Sequence, residues 1–313
     1  MELIELKGVS KEYRKSSILR DVNLTIEEGD ILGIIGQSGS GKTTLLNLIT
    51  GFIEPSEGEV VFFSISNHER KDLTENLHLI KKRIGFTPQH NSLYPKLTVM
   101  ENILHFGRLY GLEEKVLQNN ISNLLNFTKL TDDKHKLAEH LSGGMQKRLD
   151  LCCSLVHKPK ILVLDEPTAD LDPVLQKEII QMLQEVNKQG VTIVIASHHL
   201  ESIENMCNKV VIVHKGAVHS HGLMDDIRKP YLKDHFTINI HSGQDKEKII
   251  EKLKTFPIKK IVERGNNLLI YPTDVQKTMA GILTMIKDEN LYLHDMNVRK
   301  PSLKEIFERI VTE

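Results

Sequence analysis

The sequence predicts an α/β protein in two parts: a mainly parallel sheet flanked by helices and carrying a helical insertion, then a small α+β domain of ferredoxin-like order. Three observations carry this. Apolar runs of strand length at 31–35, 161–164 and 191–196 alternate with helical segments, as parallel strands buried on both faces do. A glycine-rich turn, Gly36-Gln-Ser-Gly-Ser-Gly-Lys-Thr-Thr44, joins the first run to a helix start at Leu45 and Leu46. Beyond Lys229-Pro230 the order becomes β-α-β-β-α-β.

In chain order, Leu3, Ile4 and Leu6 begin one strand, and Leu19, Val22, Leu24 and Ile26 alternate through a second before the turn at Gly29. Both are expected to run antiparallel into the strand at 31–35. Residues 51–58 are turn-rich, 60–63 start another strand, and 67–82 are polar with scattered leucines, as in a loop and short helix. Residues 83–89 form a short strand that ends at a proline. Helical spacing at 97–109 and 115–127 gives an insertion over about 90–158. An amphipathic helix at 175–186, a helix at 200–206 and a strand at 210–213 follow, with Gly216 and Gly222 at turns. The first domain is expected over 1–228. The second, 229–313, holds strands at 236–240, 258–262, 268–271 and near 291–298, helices at 246–256 and 275–286, and a last helix at 302–311 after Pro301.

Length and composition narrow the function. At 313 residues and 40% hydrophobic content the chain can bury one large core and one smaller one. Its 41 basic and 42 acidic residues are mixed and nearly cancel, so no field draws in nucleic acid or an anionic membrane surface. Cys152, Cys153 and Cys207 have no metal-ligand spacing and suit packing in a reducing compartment. No apolar segment approaches the roughly 20 residues that cross a bilayer. The start alternates like a strand and lacks the layout of a signal peptide. A cytoplasmic protein is expected, with any membrane role reached through a partner.

The glycine-rich turn carries the chemistry. Glycines at 36, 39 and 41 permit backbone conformations that aim successive N–H groups inward at phosphate oxygens, with Gln37, Ser38, Ser40 and Thr44 completing the loop. The following helix adds the positive end of its dipole. Lys42 reaches terminal phosphates as a point charge, and the Thr43 hydroxyl suits Mg²⁺ held against them. This is a nucleotide cradle. Asp165 and Glu166 leave the carboxyl end of an apolar strand, where open α/β sheets bind ligands. Asp165 suits the metal. Glu166 suits polarising a water, or capping a helix. Gln89, at another strand end, can bridge metal, water and a loop. His198 follows a third strand and can donate to a phosphate or hold the water, while His199 must face elsewhere. Tyr13 can stack on a purine or be a partly exposed strand aromatic. His219 and His221 share a strand face without a third ligand and suit the surface.

The cradle, Gln89, Leu141-Ser-Gly-Gly-Met-Gln146, the run at 161–168, Ala169-Asp-Leu-Asp172 and His198 stand in the order and spacing of ABC transporter ATP-binding subunits, which residues 2–225 resemble. Leu-Ser-Gly-Gly-x-Gln is the signature of that family. The remainder resembles the C-terminal extension of exporter ATPases of the drug, antibiotic and capsular-polysaccharide type. Lys300-Pro-Ser-Leu-Lys-Glu-Ile-Phe307 is similar to their Pro-Ser-Leu-Glu-Asp-Val-Phe element.

The resemblance implies a P-loop NTPase core with a RecA-like mixed sheet, and a cycle in which two ATPase domains face head to tail. Ser142, Gly143, Gly144 and Gln146 of one then meet the ATP in the cradle of the other, and Asp172 helps couple the two sites. ATP and Mg²⁺ are the implied cofactors. The implied partners are an integral-membrane permease and a second copy or homologue of the chain, with the complex on the inner face of the membrane. One departure is visible, since the exporters usually read Ser-Gly-Leu-Asp or Ser-Ala-Leu-Asp where this chain has Ala169-Asp170. The alternative is a soluble ATPase of the same class working on a macromolecular machine. Against it stand a single ATPase domain and the absence of coiled-coil heptads. A third reading makes the chain an ATP-dependent sensor whose small second domain binds a ligand.

Overall fold

The structure is a computed structural model that describes residues 1–14, 16–63, 70–72, 80–232, 236–241, 246–288 and 294–312. The chain divides into two compact units, Met1–Met224 and Asp225–Glu313.

In the first unit β1 (Glu2–Tyr13) and β2 (Ser16–Glu27) pair antiparallel, and β4 (Glu57–Phe63) with β5 (Arg70–Asp72) completes a sheet of order β2-β1-β4-β5. Period-2 burial of Ile4 and Leu6 on β1, and of Val22, Leu24 and Ile26 on β2, directs one face to the core. These antiparallel strands form a sheet of their own. β5 corrects the loop expected there: three polar residues, Arg-Lys-Asp, carry no hydrophobic period, and only pairing with β4 makes them a strand. The leucines of the expected short helix, Leu73, Leu77 and Leu79, lie outside the described residues.

The second sheet has six strands in the order β10-β9-β3-β8-β7-β6. They are β3 (Ile31–Gly36), β6 (Ile84–Thr87), β7 (Ile161–Asp165), β8 (Thr192–Ser197), β9 (Lys209–His214) and β10 (Ala217–Leu223), parallel except for β10. Every residue of β3, β7 and β8 is buried, which explains their uninterrupted apolar character. Gly222, expected at a turn, lies inside β10 at φ 143°, a conformation open to glycine within a strand. His219 and His221 are exposed on the same strand. The order sets β3, β8, β7 and β6 side by side, so four neighbouring parallel strands deliver their carboxyl ends to one edge.

Helix α1 (Lys42–Ile49) packs Leu45, Leu46, Leu48 and Ile49 into a core with Ile4, Leu24, Ile34, Val163 and Val194. The insertion consists of α2 (Val99–Leu109), α3 (Glu114–Thr128) and α4 (Gly143–Leu155), closed on a core of its own around Val99, Ile103, Leu117, Ile121 and Leu149. Helix α2 starts on a capping box in which Thr98 Oγ1 accepts from the Glu101 N–H and the Glu101 carboxylate accepts from the Thr98 N–H. Cys152 and Cys153 are buried in this core, and burial pushes the Cys152 thiol up to about 12, so both are packing residues. Helices α5 (Pro173–Lys188) and α6 (Leu200–Met206) complete the alternation with β8 and β9.

Residues 224–232 form helix α7 (Met224–Leu232), which holds Pro230 in its last turn. In the second unit β11 (Thr237–His241), β12 (Ile258–Arg264), β13 (Asn267–Pro272) and β14 (Asp295–Arg299) form an antiparallel sheet of order β12-β13-β11-β14. Helices α8 (Lys246–Leu253) and α9 (Val275–Asp288) seat Ile249, Leu253 and Ile282 on Ile238, Ile240, Leu268 and Ile270. Helix α10 (Leu303–Thr312) opens on Ser302, whose N–H donates 2.8 Å to Glu305 while its hydroxyl accepts from the Glu305 N–H at 3.3 Å. The Pro-Ser-Leu-Lys-Glu element is thus a proline stop followed by a capping box.

Candidate nucleotide site

The turn after β3 is built for backbone exposure. Gly41 is the N-cap of α1 at φ 105°, and a Cβ there would stand 2.7 Å from Leu19 Cδ2 and 3.1 Å from the Ile18 carbonyl oxygen. At Gly36 a Cβ would meet Ser40 Oγ and the Val213 carbonyl oxygen, each at 2.4 Å. Neither position admits a side chain. Lys42 is buried and folds across the turn, its Nζ donating to the carbonyls of Gly36 at 3.0 Å and Gln37 at 3.2 Å. Ser40 Oγ is buried with no protein partner.

The carboxylates arrive from β7. Thr43 Oγ1 donates to Asp165 Oδ2 at 2.8 Å, joining the first turn of α1 to the end of β7. Burial pushes the Asp165 carboxyl above the usual carboxylate range, opposed by the Thr43 hydrogen bond. Glu166 sits at φ 48°, a strained conformation for a residue with a Cβ, and is 6% exposed. Its N–H donates to the Ala196 carbonyl at 2.9 Å, which fixes the turn. Its carboxylate accepts from Ser197 Oγ at 3.1 Å, from the His198 N–H at 3.3 Å and from His198 Nδ1 at 2.8 Å. His199 does not line the cleft; its N–H donates to Ser197 Oγ at 3.0 Å and its ring centre lies 4.2 Å from that of His198.

A cleft of about 650 Å³ collects Tyr13, Ser38, Gly39, Gly41, Lys42, Thr43, Thr44, Gln89, Asp165, Glu166 and His198. Residues separated by as many as 185 positions thus meet where the four parallel strands end, as ligand sites of open α/β sheets do. Tyr13 ends β1 at 46% exposure, with the Lys11 ammonium 5.2 Å from its ring centre. Ser142, Gly143, Gly144, Gln146 and Asp172 do not line this cleft. Ser142 N-caps α4, accepting from the Met145 N–H at 3.4 Å, and both Ser142 and Gly143 are exposed.

Two expected contacts have other work. Gln146 donates to the carbonyls of Ala138 at 3.2 Å and Leu141 at 3.3 Å, and accepts from Asn91 Nδ2 at 3.0 Å. Both ends of its amide are engaged within the chain. Asp172 is the N-cap of α5, with Oδ1 accepting from the N–H groups of Val174 at 2.9 Å and Leu175 at 3.0 Å, ahead of a proline in the first turn. Sequence reasoning missed Ser197, whose only signal is a hydroxyl before the strand-end histidine. It also missed Lys147 and Asp150, two buried charges on α4 that resemble a solvated helix face in sequence.

Comparison with known proteins fits this geometry. The ABC transporter family matches residues 19–169, and the family described as ATP-binding protein DrrA1-3-like, C-terminal domain, matches residues 222–311. The Methionine import ATP-binding protein MetN of Clostridioides difficile (strain 630) is 32% identical, covering 92% of this chain and 85% of that protein. The chain belongs to the ABC transporter family. The Linearmycin resistance ATP-binding protein LnrL of Bacillus subtilis (strain 168) is 25% identical over 97% of both chains. A solved dimer, the post-hydrolysis state of the ATP-binding cassette MJ0796 bound to ADP and Pi, matches with a TM-score of 0.62 and 29% identity, covering 71% of this chain and 99% of that one.

As an ABC transporter ATP-binding subunit, the chain is an ATPase whose hydrolysis serves transport. The donor set of the cleft suits a hard divalent cation: Thr43 Oγ1 and Asp165 Oδ2 are oxygens already in contact, and Gln89 adds an amide oxygen. A second, apolar cleft of about 300 Å³ is lined by Phe52, Phe86, Phe106, Leu109 and Tyr110. Phe52 is 49% and Leu109 68% exposed at its rim. Among the described residues no helix is long and apolar enough to cross a membrane.

Proposed function

We propose that this chain is the ATP-hydrolysing subunit of an exporter, working as a dimer with itself or a homologue beneath a separate integral-membrane permease. One observation carries the dimer. The cradle lines an open cleft, whereas the exposed amides at Ser142 and Gly143 point to no ligand of their own chain. A second copy placed head to tail supplies what each lacks. A helix N-terminus facing phosphate contributes about 0.3–1 kcal/mol when exposed and up to about 2 when partly buried. At a hundred times its Kd, a ligand bound only by the dimer adds roughly 2.7 kcal/mol per site.

Within each site Lys42 and the loop amides of residues 37–44 hold the phosphates, and Tyr13 stacks on the base. Thr43, Asp165 and Gln89 would hold Mg²⁺, which neutralises phosphate charge during transfer. Glu166 takes the proton of the attacking water. The His198 and Ser197 bonds hold its carboxylate in place, and a general base so positioned is worth about 10²–10⁴ in rate. Export is favoured by the second unit: a full-length relative is a linearmycin resistance protein, and the C-terminal match carries the DrrA name. The apolar cleft around Phe52 and Leu109 is the proposed seat of a permease helix, which places the chain on the inner face of the membrane. Affinity purification from solubilised membranes should recover a multi-span protein, and Leu109→Glu should abolish its recovery while ATP hydrolysis by the isolated subunit persists. Recovery of ribosomes or DNA instead would point to a macromolecular machine.

A further inference from the structure

We propose that Lys147 is a positioning residue that fastens the Gln89 loop to helix α4, so that Gln89 and the exposed signature amides move as one body. Lys147 is 6% exposed, and its Nζ donates 3.2 Å to the Gln89 carbonyl oxygen. A buried ammonium is stable only against opposing charge. Burial pushes the Lys147 ammonium down, and the carboxylates of Asp150, Asp165 and Asp170 oppose that shift through space. Asp150, fully buried one turn along α4, fixes the other end of the loop: its Oδ1 accepts from Ser92 Oγ at 2.7 Å and from the Ser92 N–H at 3.4 Å. Between these, Asn91 Nδ2 donates to Gln146 Oε1 at 3.0 Å. Residues 89, 91 and 92 are therefore bonded to residues 147, 146 and 150 respectively.

The consequence is mechanical. Helix α4 carries Ser142 and Gly143 at its exposed end and grips the Gln89 loop along its first turns. A displacement of that helix end by a second subunit is carried to Gln89, which lines the nucleotide cleft. Asp170, the charge by which this chain departs from the usual exporter pattern, adds to the negative field at Lys147 after those of Asp150 and Asp165. Asp170 occupies φ 60°, so the turn presenting it is a defined one.

This proposal rests on the reading of the cleft as the ATP site, and the test separates the two. Lys147→Met keeps the stem and removes the charge; Ser92→Ala removes one hydroxyl from an exposed residue. In nucleotide-free protein, hydrogen exchange in a peptide covering 89–93 should accelerate about tenfold in each variant, because the loop loses a tether. The KM for ATP should stay within about twofold while kcat falls about tenfold, since Gln89 is misplaced without the cradle being touched. Unchanged exchange in both variants, with ATP binding intact, overturns the positioning role. Failure of the wild-type protein to bind ATP overturns the site reading itself. Should Lys147→Met fail to fold, Ser92→Ala decides alone by the same exchange measurement.

Discussion

His198 Nδ1 lies 2.8 Å from Glu166 Oε1, and the N–H of the same histidine reaches Glu166 Oε2 at 3.3 Å. Two donors from one residue grip both oxygens of a carboxylate that sits at positive φ. The ring is half exposed toward the cleft whereas the carboxylate is buried, so the histidine positions the base from the solvent side. His198→Ala should lower kcat for ATP hydrolysis by about 10²-fold with little change in KM, as expected of a group acting on the base. Phosphate release at saturating ATP checks this, and a wild-type kcat would remove the histidine from the mechanism.

Asp172 separates a structural role from a coupling role. Its Oδ1 caps α5, so Asp172→Ala should destabilise the chain by about 1 kcal/mol, seen as a lower urea midpoint. Asp172→Asn keeps an acceptor in place and should retain stability. If the charge also couples the two sites of the dimer, Asp172→Asn should lose cooperativity in ATP hydrolysis at unchanged stability.

His157 stacks on Tyr110 with ring centres 3.5 Å apart, and its Nε2–H donates to the Ile84 carbonyl at 3.2 Å. Burial pushes its pKa down to about 4. The unfolded chain, with a histidine near 6.5, therefore binds more protons between these values, and stability falls as pH falls through that window. Between pH 7.5 and 5.0 the wild type should lose about 2 kcal/mol more than His157→Phe, which keeps the stack but does not titrate. Parallel urea titrations at the two pH values give the difference, and equal losses would contradict it.

Much of the fold and of the cleft was legible because the same physics writes both. A strand buried on both faces is an unbroken apolar run, and ligand groups cluster where such runs stop, so Gly36, Asp165 and His198 announce themselves at strand ends. Features fixed only by tertiary contacts stayed hidden. Strand β5 is three polar residues that only β4 organises, and Gly222 resembles a turn until its pairing partner is known. Lys147 and Asp150 read as solvated helix charges because nothing local says that the Gln89 loop covers them. Gln146 was expected at the nucleotide because it belongs to the family signature, and in this chain its amide bonds to the Ala138 and Leu141 carbonyls. The cap at Asp172 was legible, since aspartate before proline opens helices, but the family resemblance drew attention to its other role.

The central claim is that Glu166 takes the proton of the attacking water and that ATP holds two chains together until it does so. Glu166→Gln keeps an amide oxygen to accept from Ser197 and removes the base. One measurement tests both parts: Mg-ATP hydrolysis and size-exclusion elution of Glu166→Gln in the same sample. The account predicts turnover reduced by about 10²-fold or more together with a stable ATP-dependent dimer. Hydrolysis near the wild-type rate, or a monomer at saturating ATP, would contradict it.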